Sequence, residues 1–296
     1  LILEKNGVYF YFELLNNIKD SIQEKFHRNV DIFDLDSNSE LKKTIESFLN
    51  TDLDVKLYLV DNSSNDELND LKSIDSRIEY IFNNANLGYG TAHNIAIKKS
   101  IDEKVSYHLV LNPDIYFESG VLEELYSYMQ NNSDIGNIMP NILYPNGEIQ
   151  YLCKLLPSPV DLILRRFIPF KNWKEKRNNT YELKASGYDK IMNVPVLSGC
   201  FMFLRTSALK DVGLFDENIF MYLEDTDLSR RIHTKYKTIF YPKVQITHEY
   251  AKESYKSKKL LKYHIQSAIY YFNKWGWIFD KQRDEINQNS KKDLIK

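Results

Sequence analysis

Apolar and polar positions fall into two alternating kinds of block through the first half of the chain. Short apolar runs at Val55-Lys56-Leu57-Tyr58-Leu59-Val60, at Ile78-Glu79-Tyr80-Ile81-Phe82 and at Tyr107-His108-Leu109-Val110-Leu111 read as buried strands. Residues 39–50, 65–73, 90–101 and 119–131 between and after them read as helices. This rhythm predicts a mostly parallel central sheet flanked by helices. Residues 135–150 read as a strand and turn, with Pro145-Asn146-Gly147 as the turn signal. Residues 155–190 carry Pro157, Pro159 and Pro169 and read as irregular. A strand over 194–205, a helical turn over 206–211, a helix over 223–236 and a strand over 237–247 follow. An amphipathic helix over 257–274 closes the reading, with no internal repeat.

Composition narrows the class. The chain has 296 residues, 43% hydrophobic and 27% charged, enough for one sizeable core with an appended subdomain. A net charge of −2 supplies no global field for nucleic acid. Two cysteines, Cys153 and Cys200, give no disulfide framework and suit a reducing compartment. No apolar run approaches the roughly 20 residues of a membrane span. Glu4, Lys5 and Asn6 interrupt the opening, so no signal peptide is expected.

The chemistry-bearing residues cluster near expected strand ends and helix starts. Gly213-Leu214-Phe215-Asp216-Glu217 leads through Tyr222-Leu223 into Glu224, Asp225 and Asp227 at the start of a helix, with Arg230 and Arg231 further on. Free N–H groups and partial positive charge at a helix start favour acids there, either as caps or as a carboxylate kept ionised for general-base work. Asp61 and Asp114 follow two of the strands, where functional groups of such sheets gather. Asp61 also reads as a turn acid. Asn86, Gly88 and Gly90 form a tight turn before a helix, where bare backbone can approach an anion. Ser198 and Gly199 read either as a bulge or as backbone passing close to a ligand. His248 ends a strand 23 residues beyond Asp225. His93 reads as structural, and Cys200 has no base tied to it in sequence.

Five segments in order carry a resemblance: Val60-Asp61-Asn62-Ser63-Ser64; Asn86 to Asn94; Leu111-Asn112-Pro113-Asp114; Leu197-Ser198-Gly199-Cys200; and the acidic helix start. Together they resemble family 2 inverting glycosyltransferases of the GT-A fold. Within that family they are most similar to the rhamnosyltransferase-like branch, which builds bacterial surface polysaccharides such as O-antigen and capsule. The resemblance spans roughly residues 38 to 275.

It implies several roles. Asp225 would be the catalytic base, supported by Glu224. Asp61 would accept the imide N–H of a pyrimidine base. Asn86, Gly88, Gly90, Asn112, Ser198 and Gly199 would line the donor site. Asp114 would hold a divalent cation, Mg²⁺ or Mn²⁺, with His248 as a further ligand. Asn112 stands where the superfamily's Asp-x-Asp motif has its first acid, which leaves Asp114 as the expected ligand. The implied donor is a dTDP- or UDP-sugar, preferably dTDP-L-rhamnose, and the implied acceptor a lipid-linked glycan at the cytoplasmic face of the plasma membrane.

The expected organisation is an N-terminal segment over 1–28 without a counterpart, a GT-A catalytic domain over 29–250 and a C-terminal helical extension over 251–296. The family's first strand would fall at residues 29–38, where Asp31, Asp34 and Asp36 interrupt it. Buried unpaired carboxylates are costly, so this stretch favours a non-catalytic, sugar-nucleotide- or glycan-binding relative as the rival reading. A transferase using a UDP-hexose is a second alternative. A nucleotidyltransferase would need a Gly-rich basic loop, which is absent. Two basic, aromatic segments, 165–177 and 258–275, are candidates for peripheral membrane contact.

Overall fold

A computed structural model describes residues 8–14, 35–164, 168, 170–249 and 258–295. Among the described residues nine strands form one sheet: β1 (Val8–Leu14), β2 (Val55–Asp61), β3 (Ile78–Phe82), β4 (Tyr107–Leu111), β5 (Ile115–Tyr116), β6 (Ile135–Leu143), β7 (Met192–Asn193), β8 (Phe201–Arg205) and β9 (Lys237–His248). The order is β3-β2-β1-β4-β8-β6-β9-β5, with β7 on β9. Strands β3, β2, β1 and β4 are parallel. Antiparallel β8 then joins β4 to β6, so the second half of the sheet is mixed.

Among the described residues eight α-helices accompany them: α1 (Leu35–Leu49), α2 (Tyr89–Asp102), α3 (Val121–Asn131), α4 (Lys171–Tyr181), α5 (Thr206–Val212), α6 (Glu224–His233), α7 (Lys258–Trp275) and α8 (Lys281–Ile295). Neighbouring strand residues point to opposite faces. Leu57, Leu59, Leu109 and Leu111 meet Ile45 and Phe48 of α1 on one face. Tyr58 and Val60 meet Ala92 and Ala96 of α2 on the other. Apolar runs buried on both faces therefore make the expected strands.

The first strand departs from expectation. The sheet takes Val8–Leu14, pairing Leu14 with Asp61 on β2 and Phe12 with Leu111 on β4. Asp36 lies in α1, and residues 29–34 fall outside the described residues. The boundary expected at residue 29 therefore leaves out a strand of the sheet. Asp31 and Asp34 also lie outside the described residues, and the first strand is aromatic rather than acidic. The irregular stretch 155–190 contains α4 and a π-helical turn, Val160–Leu164.

Parallel β6 and β9 lose register between Pro140 and Asn141, where β9 steps from Tyr241 to Gln245. Proline cannot donate to the ladder, and such bulges bend a strand. Beyond the bulge β9 reaches β5, pairing His248 with Ile115. Helices α7 and α8 follow: Ala268, Tyr271 and Phe272 of α7 are buried with Leu223 at the start of α6, and Gln282 of α8 accepts from Arg230 of α6 at 3.0 Å.

Candidate active site

Asp61 ends β2 at the carboxyl edge of the parallel strands and is fully buried. Its Oδ1 accepts the Ser63 N–H at 2.8 Å and its Oδ2 the Tyr80 hydroxyl at 2.6 Å. Burial and this carboxylate raise the Tyr80 pKa, so Tyr80 stays a donor. The Asn83 amide donates to Asn62 Oδ1 at 2.8 Å and fixes the same corner.

Two strands away, β4 leads into Asn112-Pro113-Asp114. Thr44 of α1 donates to the Pro113 carbonyl at 2.8 Å, and the Asn112 N–H bonds the Cys200 carbonyl at 2.9 Å. The loop is thus docked on Ser198-Gly199-Cys200. Asp114 Oδ1 is buried and faces His248 Nε2 at 3.2 Å, an ion pair when the imidazole is protonated. The other His248 nitrogen, Nδ1, is held by Gln150 Oε1 at 3.0 Å, while Gln150 Nε2 donates to the His248 carbonyl at 2.8 Å. Burial lowers the His248 pKa, but the adjacent Cys200 sulfur and Asp114 carboxylate outweigh it and bring it to about 10. A cation here would compete with that proton.

A carboxylate oxygen and an imidazole nitrogen suit Mg²⁺ or Mn²⁺, and Mg²⁺ commonly takes one or two protein carboxylates and completes its shell with phosphate and water. The buried acceptor of Asp114 fits that use. Among the described residues no three His, Cys, Asp or Glu side chains form a cage, so a substrate would have to share the coordination.

Asp225 sits half-buried in the first turn of α6. Tyr222 and Leu223 before it both have left-handed backbones, φ 68° and 70°. Such conformations cost about 1–3 kcal/mol each in non-glycine residues and collect at functional sites. Here they turn the chain sharply into α6. Asp225 Oδ2 accepts the Gly199 N–H at 2.9 Å and Oδ1 the Thr226 N–H at 2.6 Å. A Cβ at Gly199 would lie 3.1 Å from the Asp225 Cβ, so the small residue keeps the strand end against the carboxylate. Tyr89 closes the group by donating to the Gly199 carbonyl at 2.7 Å. Glu224 is buried beside it, its Cβ 3.7 Å from the position a Gly90 side chain would take.

Several of the expected residues also make structural contacts. A Cβ at Gly88 would meet the Phe220 carbonyl oxygen at 2.5 Å, and one at Gly90 the Phe215 Cβ at 2.9 Å. The close approach these glycines permit is made by the chain's own segment 215–224, and the Tyr89 N–H is taken by Phe220. Asn86 is exposed and accepts the Gly88 N–H at 3.0 Å. Asn94 clamps the Phe215 backbone through both side-chain atoms. Asp227 is fully buried, accepting from Arg231, Trp275 and Lys274 at 2.8 Å each. Arg230 is 1% exposed and holds Asp280 at 2.7 Å.

Tyr80, Tyr89 and Gln150 were not expected from the sequence. Gln150 acts on a residue 98 positions away, beyond any local pattern. Tyr89 lay between two singled-out glycines, and that placement was its signal.

A crossover sheet with carboxylates along the carboxyl ends of its parallel strands, closed by an acidic helix start, is the architecture of GT-A sugar-nucleotide transferases. Residues 35–213 match the model of glycosyl transferase family 2, and the chain belongs to that family. It is a glycosyltransferase. It is 28% identical over 69% of its length, and 69% of the relative's, to N-acetylglucosaminyl-diphospho-decaprenol L-rhamnosyltransferase of Mycobacterium tuberculosis. It is 24% identical to rhamnosyltransferase WbbL of Escherichia coli, over 83% of the chain and 93% of the relative. A hexosyltransferase of low-salt glycan biosynthesis in Haloferax volcanii, Agl10, is 30% identical over 60% of the chain and 52% of the relative. The fold matches GalNAc-T7 crystallised with UDP, GalNAc and Mn²⁺, with a TM-score of 0.57 at 16% identity, over 89% of this chain and 48% of that one. It also matches TarS of S. aureus, with a TM-score of 0.54 at 13% identity, over 95% of this chain and 69% of that one.

Proposed function

We propose that this protein transfers a single sugar, with inversion, from a pyrimidine-nucleotide sugar to a lipid-linked glycan during surface-polysaccharide synthesis. The observation that carries the reading is the run of contacts from Asp114 through Asn112, Cys200 and Gly199 to Asp225. It sets a candidate phosphate-side carboxylate and a candidate base around one backbone segment. The preferred donor is dTDP-L-rhamnose, in line with the names of the Mycobacterium tuberculosis and Escherichia coli relatives. The Mycobacterium tuberculosis name also supports a polyprenyl-diphosphate-linked acceptor.

In this mechanism Asp225 takes the proton of the attacking acceptor hydroxyl. The new oxygen–C1 bond forms as the C1–O bond to the nucleoside diphosphate breaks, and the electron pair leaves with the diphosphate. Two backbone N–H groups and the Thr226 hydroxyl hold the Asp225 carboxylate in orientation; Oδ1 takes two of these donors, and Oδ2, with one, keeps a lone pair for the proton. Glu224, the next residue back in the same helix turn and buried, supports the base from its side. Asp61 receives the base imide in the place of the Tyr80 hydroxyl, while Ser63 keeps its side chain fixed. Asn112, Ser198 and Gly199 line the diphosphate and the sugar, and the Asn86 turn with Gly88 and Gly90 shapes the donor-side wall. Asp114 and His248 would hold a divalent ion, which would offset charge on the departing diphosphate.

With Val8–Leu14 completing the sheet, the acidic stretch no longer argues for a non-catalytic relative. The aromatic face of α7 packs on Leu223 and α6, so the expected membrane role of 258–275 is withdrawn. Among the described residues no helix is long and apolar enough to cross a membrane. Residues 165–177 stay a candidate surface for the inner membrane face, with Phe170 71% exposed. The test is direct: purified protein, Mg²⁺, a polyprenyl-diphosphate-linked GlcNAc and either dTDP-L-rhamnose or UDP-glucose, read by mass spectrometry. A deoxyhexose-extended lipid supports the reading. Hexose extension from UDP-glucose corrects the donor, and no extension with any dTDP- or UDP-sugar overturns the activity.

A further inference from the structure

Away from the sheet edge, α4 and α8 enclose a cavity of about 570 Å³. Lys176, Arg177, Arg283 and Lys291 line it against Asp161 and Asp284, four cations to two carboxylates. Asp161 is already committed: Arg177 Nε lies 2.6 Å from it, and Ser158 also donates to it. Asp284 lies on the solvent side, 62% exposed. Arg177 is spent on Asp161, and Arg283 Nε pairs with Asp284 at 3.4 Å, which leaves Lys176 and Lys291 as the remaining positive charge of the cavity.

Arg283 is the telling group. It is 6% exposed. Its Nη2 donates to the Ile278 carbonyl at 3.0 Å, and its Nη1 is buried with no hydrogen-bond acceptor. A buried guanidinium donor left unbonded is costly, more so than a neutral one. Nη1 is closed to solvent, so an anionic oxygen in the cavity would engage it only with a shift of the guanidinium toward the cavity.

Exposed apolar side chains flank the lining residues along the chain. Phe170 and Trp173 at the start of α4 are 71% and 38% exposed, and Ile278 and Phe279 in the turn before α8 are 74% and 92% exposed. Trp173 lines the cavity itself. A cationic pocket with a tryptophan in its wall and large exposed apolar side chains on the adjoining segments suits a ligand with an anionic head and a hydrocarbon tail at a membrane interface. The pocket is tied to α6. The Arg283 N–H bonds Asp280 at 2.9 Å, and Asp280 holds Arg230, five residues beyond Asp225.

We infer that this cavity binds the isoprenoid-diphosphate end of the acceptor, separately from the donor diphosphate at the sheet edge. The inference rests on the proposed function and names how its acceptor is held. The diphosphate meets Arg283, Lys176 and Lys291, and the first isoprene units lie along Phe170, Trp173 and Ile278.

Isothermal titration with farnesyl diphosphate, and separately with inorganic pyrophosphate, tests it, each in excess UDP and Mg²⁺ to fill the donor site. Farnesyl diphosphate should bind. The surface double variant K176E/K291E should weaken it by about tenfold or more, the scale of roughly 1 kcal/mol for each basic contact. R283Q should do the same if it folds, and the surface variant serves if it does not. Pyrophosphate, lacking the tail, should bind more weakly. Equal affinity for both probes would make the site one for free phosphates and overturn the inference, as would no binding of farnesyl diphosphate or an unchanged affinity in K176E/K291E. In transfer assays the double variant should raise the acceptor KM and leave the donor KM in place. Transfer with an unchanged acceptor KM overturns the subsite and leaves the activity standing. Farnesyl diphosphate binding that the variants abolish, with no transfer to any acceptor, overturns the activity and leaves the subsite standing.

Discussion

Replacing Asp225 with Asn separates anchoring from chemistry. The carboxylate accepts two backbone N–H groups, Gly199 on Oδ2 and Thr226 on Oδ1. An amide has one acceptor oxygen, so one of these N–H groups must face the NH₂. Losing a hydrogen bond to a charged group costs about 1.5–3 kcal/mol. At roughly 2 °C per kcal/mol for a chain longer than 250 residues, the melting temperature should fall by about 3–6 °C. That loss leaves the protein folded at 25 °C. Turnover should fall far more, by about 10²- to 10⁴-fold, because the amide cannot take the acceptor proton. At 1.36 kcal/mol per decade the barrier rises by about 3–5 kcal/mol. The assay is the rate of sugar transfer to a lipid-linked glycan at saturating donor, beside calorimetric donor binding and a melting curve. Donor affinity should hold within about twofold, since Asp61 and Asp114 are untouched. A folded Asp225→Asn protein with near-normal turnover would refute the base assignment. Lost donor binding would instead place Asp225 in the donor pocket.

Three further outcomes follow from the same geometry. EDTA should abolish transfer and Mg²⁺ or Mn²⁺ restore it, and Asp114→Ala should weaken donor binding only when metal is present; full activity in EDTA would shift leaving-group stabilisation to cationic side chains. UDP and dTDP should compete for the donor site while GDP does not, because Asp61 offers an acceptor to a pyrimidine imide; tight GDP binding would overturn that role. Stability should fall as the pH drops from about 6.5. Burial holds His93 well below its usual value, His108 down at about 3 and His233 at about 4. The unfolded chain therefore binds protons that the folded chain refuses, and each such histidine removes up to about 1.4 kcal/mol per pH unit until its folded pKa is reached. A melting temperature flat between pH 7 and pH 5 would contradict this.

The sequence alone shows three of the four strands in the parallel half, β2, β3 and β4. Leu57, Leu59, Leu109 and Leu111 come from apolar runs buried on both faces, and that pattern is local. It also placed Asp61 and Asp114 at strand ends and Asp225 at a helix start, since turn and cap signals lie within a few residues. It could not find the first strand. Val8–Leu14 enters the sheet between β2 and β4, and its partners lie 47 and 99 positions ahead in register, at Val55 and Tyr107. Only tertiary pairing shows that Val8–Leu14, rather than the expected 29–38, completes the sheet. The same holds for the acids of α6. Glu224, Asp225 and Asp227 look alike in sequence, all in one first turn. Helix rotation turns Asp227 into the C-terminal helices, where Trp275, Lys274 and Arg231 take up its charge, and leaves Asp225 facing Gly199. The meeting of His248 with Asp114 likewise depends on the bulge that bends β9 back to β5. A residue's chemistry is written in its side chain, but its partners are set by chain segments whose distance along the sequence carries no local trace.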